Sequence, residues 1–311
     1  MSKKDMSFDT KLIHAGEPDP RIEGAVSVPI FQSSTFEYAG QTDYDSLRYI
    51  RLNNTPNHIA LHKKLAALEG AEAALVTSSG MSAITTALLT YLQSGDHLLA
   101  QSTLYGGTAD YVKHDLPQYG IEVDFFDAMI PDDWESKVKS NTKVVYVETI
   151  TNPLMSVPEL GAIIELGKKH KLISMIDNTF ASPALYCPIM QGFDISLHSA
   201  TKYLNGHTDI VAGVVIGSEN NISKVRSKLN HLGGSLDPNA CFLLHRGIKT
   251  LSLRMNRQCQ NAMAIARFLE SHPKVKQVNY PGLESNPSHN RAKEYLCGFS
   301  AMISFELTGD V

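Results

Sequence analysis

Residues 194–213 read DISLHSATKYLNGHTDIVAG, and the rest of the chain is organised around this stretch. A short apolar run that begins at Ile195 predicts a buried strand, and Ser199, Thr201 and Lys202 follow directly after it. A lysine shielded from water loses its proton more readily and can attack a carbonyl group to form a Schiff base. The two hydroxyl groups before it are suited to binding a phosphate. By itself, however, a lysine after a strand is usually a surface residue.

An upstream segment supplies the partner that such a lysine needs. The apolar run 173–176 ends in Asp177, which places a carboxylate at the carboxyl end of a predicted strand, where ligands of open α/β sheets bind. Pyridoxal phosphate requires a lysine for its aldehyde and an acid that keeps its ring nitrogen protonated. Read alone, Asp177 is equally suited to a cap or a turn. Together with Lys202 it predicts a site for this cofactor.

Several motifs in the right order now resemble a known family. They are DNTFASP at 177–183, HSATKY at 198–203, and Gly206, His207 and Gly213 after it. This pattern is similar to that of the cysteine/methionine-metabolism enzymes, which include cystathionine gamma-synthase, the cystathionine lyases, methionine gamma-lyase and the homoserine sulfhydrylases. The resemblance runs from about residue 10 to the end of the chain. It implies a fold-type I enzyme with pyridoxal 5'-phosphate as cofactor.

The order of elements agrees with that fold class. From His58 onward short apolar strands alternate with helical patterns, which predicts an α/β fold with a mainly parallel central sheet and helices on both faces. A strand is expected over 210–217 and one long helix over 246–272. The segments 275–280 and 301–307 read as strands of a small C-terminal α/β domain that is incomplete. The family's arginine for the substrate α-carboxylate is expected beyond this point.

The bulk composition excludes several classes of protein. The chain has 311 residues, 43% hydrophobic and 19% charged, and a net charge of −4, so neither nucleic acid nor an anionic membrane is expected as a partner. Its 4 cysteines form no CxxC pair and no metal-ligand cluster, which predicts reduced thiols and no metal site. The polar N-terminus lacks the apolar core of a signal peptide. We therefore expect a cytoplasmic protein.

A second turn is suited to holding the cofactor phosphate. TSSGMSA at 77–83 follows a predicted strand and opens a helix, and such a turn presents backbone N–H groups to an anion. It is neither a Walker loop nor a dinucleotide-binding loop, because both glycine patterns are missing. We predict that Gly80 and Met81 bind the phosphate through their backbone N–H groups, with an ordinary helix cap as the alternative.

The first 57 residues have weak periodicity and predict an arm that lies across another surface. Within them Arg51 offers bidentate donors to a phosphate, and the hydroxyl of Tyr49 adds another. The resemblance implies that this pair reaches the cofactor phosphate of a neighbouring subunit, and hence a homodimer or homotetramer with shared active sites. The family's Asn-Pro-Thr is replaced here by Asn-Thr-Pro at 54–56, so the turn after Arg51 is expected to differ. A large cofactor-binding domain is expected over 58–247 and a C-terminal segment over 248–311.

Two further residues complete the predicted site. Tyr105 stands at a strand-to-helix turn, where an aromatic ring can stack on a planar ring. The resemblance places it on the pyridine face, with a part in proton transfer. Asn152 lies in the segment ETITNP at 148–153, and an Asn-Pro pair considered alone is a turn signal. The resemblance implies that its side chain donates to a substrate carboxylate or to the phenolic oxygen of the cofactor.

The sequence leaves the reaction open within this family. Gly107 stands where methionine gamma-lyases usually carry cysteine, and Asp110 stands where many cystathionine enzymes carry arginine. The stretch 232–240 favours gamma-synthase-like members. We expect elimination or gamma-replacement on a small amino-acid substrate, either a sulfur amino acid or an activated homoserine. The alternatives are an acyl-homoserine sulfhydrylase or methionine gamma-lyase activity, and a non-catalytic cofactor-binding protein.

Overall fold

The computed structural model describes residues 6–309, which form two compact units. The first unit contains residues 6–90 and 187–251, and the second contains residues 91–186 and 252–309. The domain boundaries predicted at residues 57 and 247 stay a prediction. No helix within residues 6–309 combines the length and the apolar character that crossing a membrane demands.

The regular elements are labelled in chain order. The α-helices are α1 (Phe8–His14), α2 (Pro56–Glu69), α3 (Gly80–Tyr91), α4 (Gly106–Asp110), α5 (Trp134–Lys137), α6 (Leu160–His170), α7 (Ser182–Leu185), α8 (Pro188–Gln191), α9 (Glu219–Leu232), α10 (Pro238–Ile248), α11 (Leu251–Glu270) and α12 (His289–Tyr295). The strands are β1 (Ala73–Thr77), β2 (His97–Gln101), β3 (Glu122–Phe126), β4 (Thr142–Glu148), β5 (Ile173–Asp177), β6 (Ile195–Ser199), β7 (Gly213–Gly217), β8 (Val275–Asn279) and β9 (Ser304–Leu307). Short 3-10 or π-helical turns lie at Ile22–Gly24, Tyr44–Ser46, Ile50–Leu52, Tyr111–Asp115, Leu116–Tyr119 and Pro131–Asp133.

In the second unit, β5, β4, β2 and β3 lie side by side in that order and run parallel. β2 and β4 are almost wholly buried, whereas the edge strand β3 is half exposed. Helix α6 packs against β4 and β5. The parallel register brings the carboxyl ends of three strands to one edge, where they finish in Gln101, Glu148 and Asp177. This is the strand–helix alternation that the sequence predicts.

In the first unit, β7 lies between β1 and β6 and is antiparallel to both. Thr77 at the end of β1 and Ser199 at the end of β6 both pair with Gly213, the first residue of β7. A Cβ atom at Gly213 would lie 2.1 Å from a neighbouring backbone oxygen, so the close approach requires glycine. The turns that follow β1 and β6 therefore leave the same edge of this sheet.

The strand predicted over 210–217 begins three positions late, at Gly213. The N–H of Thr201 donates to the carbonyl of Ala212 at 3.2 Å, and the N–H of Ala212 donates to Thr201 Oγ1 at 3.0 Å. These bonds commit Ala212 to the loop after β6. The apolar residues before it consequently belong to that loop rather than to the strand.

The single long helix predicted over 246–272 was wrong, because two helices occupy this range. Helix α10 ends at Ile248, and the N–H of Lys249 bonds the carbonyl of Arg246 at 3.2 Å, which tightens the last turn. Gly247 also packs closely on Asn205, whose carbonyl oxygen would lie 2.4 Å from an added Cβ. Helix α11 then starts at Leu251.

The N-terminal segment contains α1, a helix that its weak periodicity did not predict. Ser7 Oγ caps the helix by accepting from Thr10 N at 3.3 Å. The buried ammonium group of Lys64 donates to the carbonyls of Leu12 at 2.8 Å and Ile13 at 3.0 Å. A side chain from distant α2 thus satisfies the carboxyl end of α1.

The last part of the second unit contains the two predicted C-terminal strands. β8 and β9 pair antiparallel. Ser304 Oγ donates to the carbonyl of Pro153 at 2.6 Å, and Ser300 Oγ donates to that of Phe180 at 2.7 Å, so this part holds the loops after β4 and β5. A small apolar cluster supports it, built on Ala262, Ala266, Tyr280 and Leu283.

Candidate active site

Asp177 lies at the carboxyl edge of the parallel strands in the second unit. It ends β5 and is 9% exposed, and its Oδ1 accepts a hydrogen bond from Thr179 N at 2.9 Å. The register of β4 and β5 places it opposite Glu148. A buried carboxylate at a strand end is the group that a protonated ring nitrogen of a bound cofactor needs.

Glu148 links this edge to two other predicted site residues. Its Oε1 accepts from Tyr105 N at 2.7 Å, and its Oε2 accepts from Asn152 N at 3.0 Å. Burial raises the pKa of Glu148 to about 8 and the charge of Asp177 adds to the rise, whereas the two N–H bonds oppose it. The second unit therefore brings Tyr105, Asn152 and Asp177 around one buried carboxylate. No role was predicted for Glu148 from the sequence, although an acidic residue at the end of a buried strand is a visible signal.

The turns on either side of Glu148 present the two residues differently. Tyr105 precedes α4 and is 48% exposed, and an exposed aromatic ring can stack on a planar ligand. Asn152 is half-buried in a loop that Thr151 closes, because Thr151 Oγ1 accepts from Ser156 N at 3.0 Å. The aromatic ring and the amide thus stand on short, hydrogen-bonded turns.

In the first unit, the N-terminus of α3 approaches the end of β6. Ser79 Oγ accepts from Ser82 N at 3.0 Å, which satisfies a later donor of the first turn. An anion at this end would take its hydrogen bonds from the preceding N–H groups of Gly80 and Met81. A Cβ at Gly80 would lie 2.8 Å from the Cβ of Ser199, so glycine is required for this approach. The structure brings Gly80 and Ser199 together as the phosphate prediction requires.

Lys202 stands in the turn that follows β6. Its N–H donates to the carbonyl of Ser199 at 3.1 Å, and its own carbonyl accepts from Gly206 N at 2.7 Å. The side chain is exposed, so burial within the chain does not provide the shielding from water that the sequence analysis expected of a reactive lysine. The hydroxyl of Thr201 is engaged with Ala212, through the N–H bond described above and a 3.3 Å contact to the carbonyl. Thr201 can donate to a phosphate only if it releases that carbonyl.

The structure gives Tyr49 and Arg51 partners within their own chain. Arg51 donates to the carbonyl of Asn230 at 2.6 Å and to the hydroxyl of Tyr44. Its guanidinium carbon lies 5.4 Å from the ring centroid of Tyr49 and 5.7 Å from that of Tyr44. The hydrogen bond to Tyr44 raises the pKa of Arg51, so the group stays a cation.

Asparagines that the sequence analysis did not assign shape the turn after Arg51. Asn53 adopts left-handed backbone geometry with φ of 52°, and its side chain donates to the carbonyl of Val76 at 2.7 Å. Asn54 Oδ1 accepts from Tyr49 N at 2.9 Å. Pro56 then opens α2, where a missing N–H costs nothing. The order Asn-Thr-Pro therefore serves to start the helix.

The residues present fit pyridoxal phosphate by their chemistry. The first unit supplies a primary amine, and beside it a helix end that a Cβ at Gly80 would fill. The second unit supplies a buried carboxylate for a ring nitrogen and a half-exposed aromatic ring. The donor set matches the aldehyde, the phosphate and the pyridine ring of this cofactor.

Comparison with known proteins agrees with this chemistry. The model of the family described as Cys/Met metabolism PLP-dependent enzyme matches residues 9–311. The chain is 42% identical over 306 residues to a probable cystathionine gamma-synthase of Herpetosiphon aurantiacus, over 98% of this chain and 95% of that protein. It is 40% identical over 325 residues to an L-methionine gamma-lyase of Porphyromonas gingivalis, over 99% of this chain and 80% of that protein. The crystal structure of a cystathionine gamma-lyase from Lactobacillus plantarum complexed with L-serine matches with a TM-score of 0.92 at 39% identity, over 97% of this chain and 79% of that one.

These findings confirm three predictions from the sequence. The fold is of fold-type I, with a mostly parallel central sheet and helices. The cofactor is pyridoxal phosphate. The protein is an enzyme of the transsulfuration class, which comprises carbon–sulfur lyases and gamma-synthases. The chain belongs to the family of Cys/Met-metabolism PLP-dependent enzymes.

Proposed function

We propose that this chain catalyses elimination or replacement at the β- or γ-carbon of cystathionine or of an activated homoserine. One observation in the first unit carries the proposal. Lys202 is hydrogen-bonded through its backbone to Ser199, and Ser199 borders the N-terminus of α3 at Gly80. An amine that can form a Schiff base thus follows directly after an anion site, as amino-acid chemistry with this cofactor requires.

The chain's own groups divide the work. When bound, pyridoxal phosphate supplies an aldehyde that combines with amines and a ring that takes up the electrons released at the substrate α-carbon. The Lys202 amine would hold that aldehyde and, when free, would take the α-proton of the substrate. Asp177 would keep the ring nitrogen protonated. The Tyr105 ring would stack on the cofactor, and its hydroxyl would give a proton to the departing group.

The remaining predicted residues bind rather than react. The N–H groups of Gly80 and Met81 and the hydroxyl of Ser199 would hold the phosphate. The hydroxyl of Thr201 would join them on releasing the carbonyl of Ala212. Asn152 donates to the phenolic oxygen of the cofactor or to the substrate carboxylate. The tight Gly80–Ser199 approach supports the phosphate assignment.

A homodimer or homotetramer in the cytoplasm is the assembly proposed. Enzymes of this family are usually oligomeric, and Tyr49 and Arg51 would then serve the phosphate held by the neighbouring subunit. Arg51 would exchange the neutral carbonyl of Asn230 for phosphate oxygens, which are stronger acceptors for a guanidinium group.

Methionine gamma-lyase activity is the second candidate. It is favoured by the 40% identity to the L-methionine gamma-lyase of P. gingivalis. Gly107 opposes it, because the family's methionine lyases usually carry cysteine at that position. An acyl-homoserine sulfhydrylase is the remaining enzymatic alternative.

One substrate panel tests these proposals. The purified chain with pyridoxal phosphate is offered L-cystathionine, L-methionine, and an O-acyl-homoserine with and without cysteine or sulfide. Homocysteine from cystathionine means β-cleavage, and cysteine means γ-cleavage. Cystathionine formed from the acyl ester and cysteine means gamma-synthase activity, and methanethiol from methionine supports the second candidate. A chain that binds the cofactor but converts none of these substrates would contradict the proposed function.

A further inference from the structure

Glu148 is a buried acidic group that the proposed chemistry does not itself use. It is the last residue of β4 and is 4% exposed. Its two oxygens accept one backbone N–H each, from Tyr105 at 2.7 Å and from Asn152 at 3.0 Å. The donors belong to different turns, one before α4 and one after β4. A single side chain therefore ties both turns to the edge of the sheet.

The ring of Tyr105 depends on this tie because its side chain is 48% exposed. A half-exposed side chain receives limited support from packing, so the direction of its Cα–Cβ bond is set chiefly by the backbone. The bond from Tyr105 N to Glu148 holds that backbone. The neighbouring Leu104 is buried, which anchors the turn but does not orient the ring.

A second side chain braces the same turn. The N–H of Glu148 donates to Gln101 Oε1 at 3.1 Å, and Gln101 Nε2 donates to the carbonyl of Thr103, two positions before Tyr105. The connection from β2 into α4 is thus attached to Glu148 through its backbone and its carboxylate. Linked bonds of this kind hold a unique geometry more firmly than separate ones.

The geometry calls for a carboxyl group at this position, because both of its oxygens can accept a hydrogen bond. Two N–H donors converge on two oxygens, whereas an amide offers one oxygen and an NH2 group that would face a donor. Burying a carboxylate is costly, the more so opposite Asp177. Burial and Asp177 indeed raise the pKa of Glu148 to about 8 against the effect of both N–H bonds. A residue that served stability alone would not need to carry this cost.

We propose that Glu148 is a positioning residue, which sets the Tyr105 and Asn152 turns so that the Tyr105 ring and the Asn152 amide meet the ring of pyridoxal phosphate. It rests on the cofactor contacts proposed above for these two residues. Glu148 itself touches neither the cofactor nor the substrate in this assignment.

The test compares Glu148→Gln with Thr142→Val. Thr142 begins the strand that Glu148 ends, about 20 Å away at about 3.3 Å per residue. Its hydroxyl also makes two buried bonds, with His97 Nδ1 at 2.7 Å and with Lys139 N at 2.8 Å. Both variants therefore lose hydrogen bonds of β4, but only one faces the site. Each is prepared without cofactor and titrated with pyridoxal phosphate.

The readouts are the dissociation constant, the circular dichroism of the bound cofactor band, and the thermal midpoint of the cofactor-free protein. We expect Glu148→Gln to bind the cofactor about tenfold or more weakly, because one buried N–H donor is left without an acceptor, and to change the dichroic band. Thr142→Val should lower the thermal midpoint and leave binding and dichroism at wild-type values.

Wild-type affinity and dichroism in Glu148→Gln, or equal losses in Thr142→Val, would overturn the positioning role. Should Glu148→Gln not fold, Glu148→Asp decides, because it keeps both oxygens but withdraws them by one methylene. It should then show intermediate affinity, and wild-type values would refute the proposal. Cofactor titration needs no substrate, so this test can be interpreted even if none of the substrates in the panel is converted.

Discussion

At the scale of single residues, burial within the chain does not shield the amine of Lys202, to which we assign the Schiff base. Lys202 is exposed in the turn after β6, and that turn is held by backbone bonds to Ser199 and Gly206. The turn therefore fixes where the amine starts, while the side chain remains free to reach an aldehyde. Shielding from water has to come from the cofactor, the substrate or a neighbouring subunit.

Lys202→Ala should abolish the visible absorbance of the bound cofactor, because the amine that bonds the aldehyde is lost. Lys63→Ala is the matched control, since Lys63 is an exposed lysine on α2 of the same unit. Absorbance spectra of both reconstituted variants decide the matter. A variant of Lys202 that keeps the wild-type band would remove this residue from the proposed chemistry.

Arg51→Ala should weaken cofactor binding by about 2–5 kcal/mol, as expected when a buried phosphate loses its charged partner. The thermal midpoint of the cofactor-free protein should change little, because the present partners of Arg51 are a carbonyl, a hydroxyl and two partly exposed rings. Arg48→Ala is the control, since Arg48 lies over the ring of Phe36 at 5.6 Å in the same arm. Equal cofactor affinities of the two variants, measured by titration, would argue against a phosphate role for Arg51.

The sequence indicated which residues gather at the second-unit edge, but not what gathers them. Tyr105, Asn152 and Asp177 each follow a strand of one parallel sheet, and that rule alone brings them to a common edge. Glu148 escaped assignment because a carboxylate after a strand looks like a cap. The role that we propose for it depends on the bond from Tyr105 N, which lies 43 residues earlier in the chain, so no local pattern records it.

At the scale of elements, the failed predictions share a cause in long-range contacts. Helix α1 was not predicted from its periodicity, and its carboxyl end is satisfied by Lys64, which lies far along the chain on α2. The break between α10 and α11 is hidden because Ile248 and Leu251, on either side of it, keep the apolar spacing of a helix. The close packing of Gly247 on Asn205 marks the end of α10, and this contact is seen only in the folded structure. Local periodicity carries no trace of either contact.

Gly247→Ala should destabilise the protein by about 1–3 kcal/mol, because the new Cβ overlaps a backbone oxygen that cannot easily move. That oxygen belongs to Asn205, whose N–H bonds Ala200 at 3.0 Å and whose amide bonds Asp209 at 2.7 Å. The strain should therefore reach the loop that carries Lys202 and lower the yield of the cofactor band.

Gly161→Ala is the matched control for Gly247→Ala. Gly161 is also helical, but a Cβ there meets the hydroxyl oxygen of Tyr295 at 3.5 Å, an ordinary contact. Alanine should be neutral or slightly stabilising at that position. Urea denaturation and absorbance compare the two. Unchanged stability of Gly247→Ala would show that the loop yields without cost.

At the scale of the whole molecule, the fold class was predictable because the buried strands, such as β1, β4 and β7, are short and largely apolar runs. The pairing of strands was not. β7 lies antiparallel between β1 and β6, although β1 comes far earlier in the chain and β6 immediately before it. That arrangement depends on Gly213, whose place beside β1 is a tertiary fact.

Buried histidines should make the whole protein sensitive to acid. Burial lowers the pKa of His58 to about 4, and burial with the charges of Lys64 and Lys249 lowers that of His245 to about 3. An unfolded histidine titrates near 6.5. Below that pH each of these histidines is protonated in the unfolded chain but stays neutral in the folded chain. Each one therefore lowers the free energy of unfolding by about 1.4 kcal/mol per pH unit as the pH falls toward its folded pKa.

Glu148 has the opposite effect on the pH dependence of stability, so the test must separate it from the histidines. Its raised pKa means that the folded chain binds a proton between pH 8 and pH 4.5, so its contribution to stability grows as the pH falls through that window. The change of unfolding free energy with pH in the wild-type protein combines the contributions of Glu148 and of the buried histidines. A variant that lacks one histidine isolates the contribution of that residue.

His58→Gln should flatten the fall of stability between about pH 6.5 and pH 5 by about 1.4 kcal/mol per pH unit, because one proton is no longer taken up on unfolding. In the folded chain, His58 Nε2 bonds the carbonyl of Leu236 and Nδ1 bonds Thr55 Oγ1, both at 2.7 Å. Protonation would make both ring nitrogens donors, so Thr55 Oγ1 could no longer donate to Nδ1. The free energy of unfolding is measured by urea at several pH values. His14→Gln, at an exposed position, is the control for the replacement of a histidine by glutamine. A slope of His58→Gln equal to that of His14→Gln would mean that acid acts on this fold through groups other than His58.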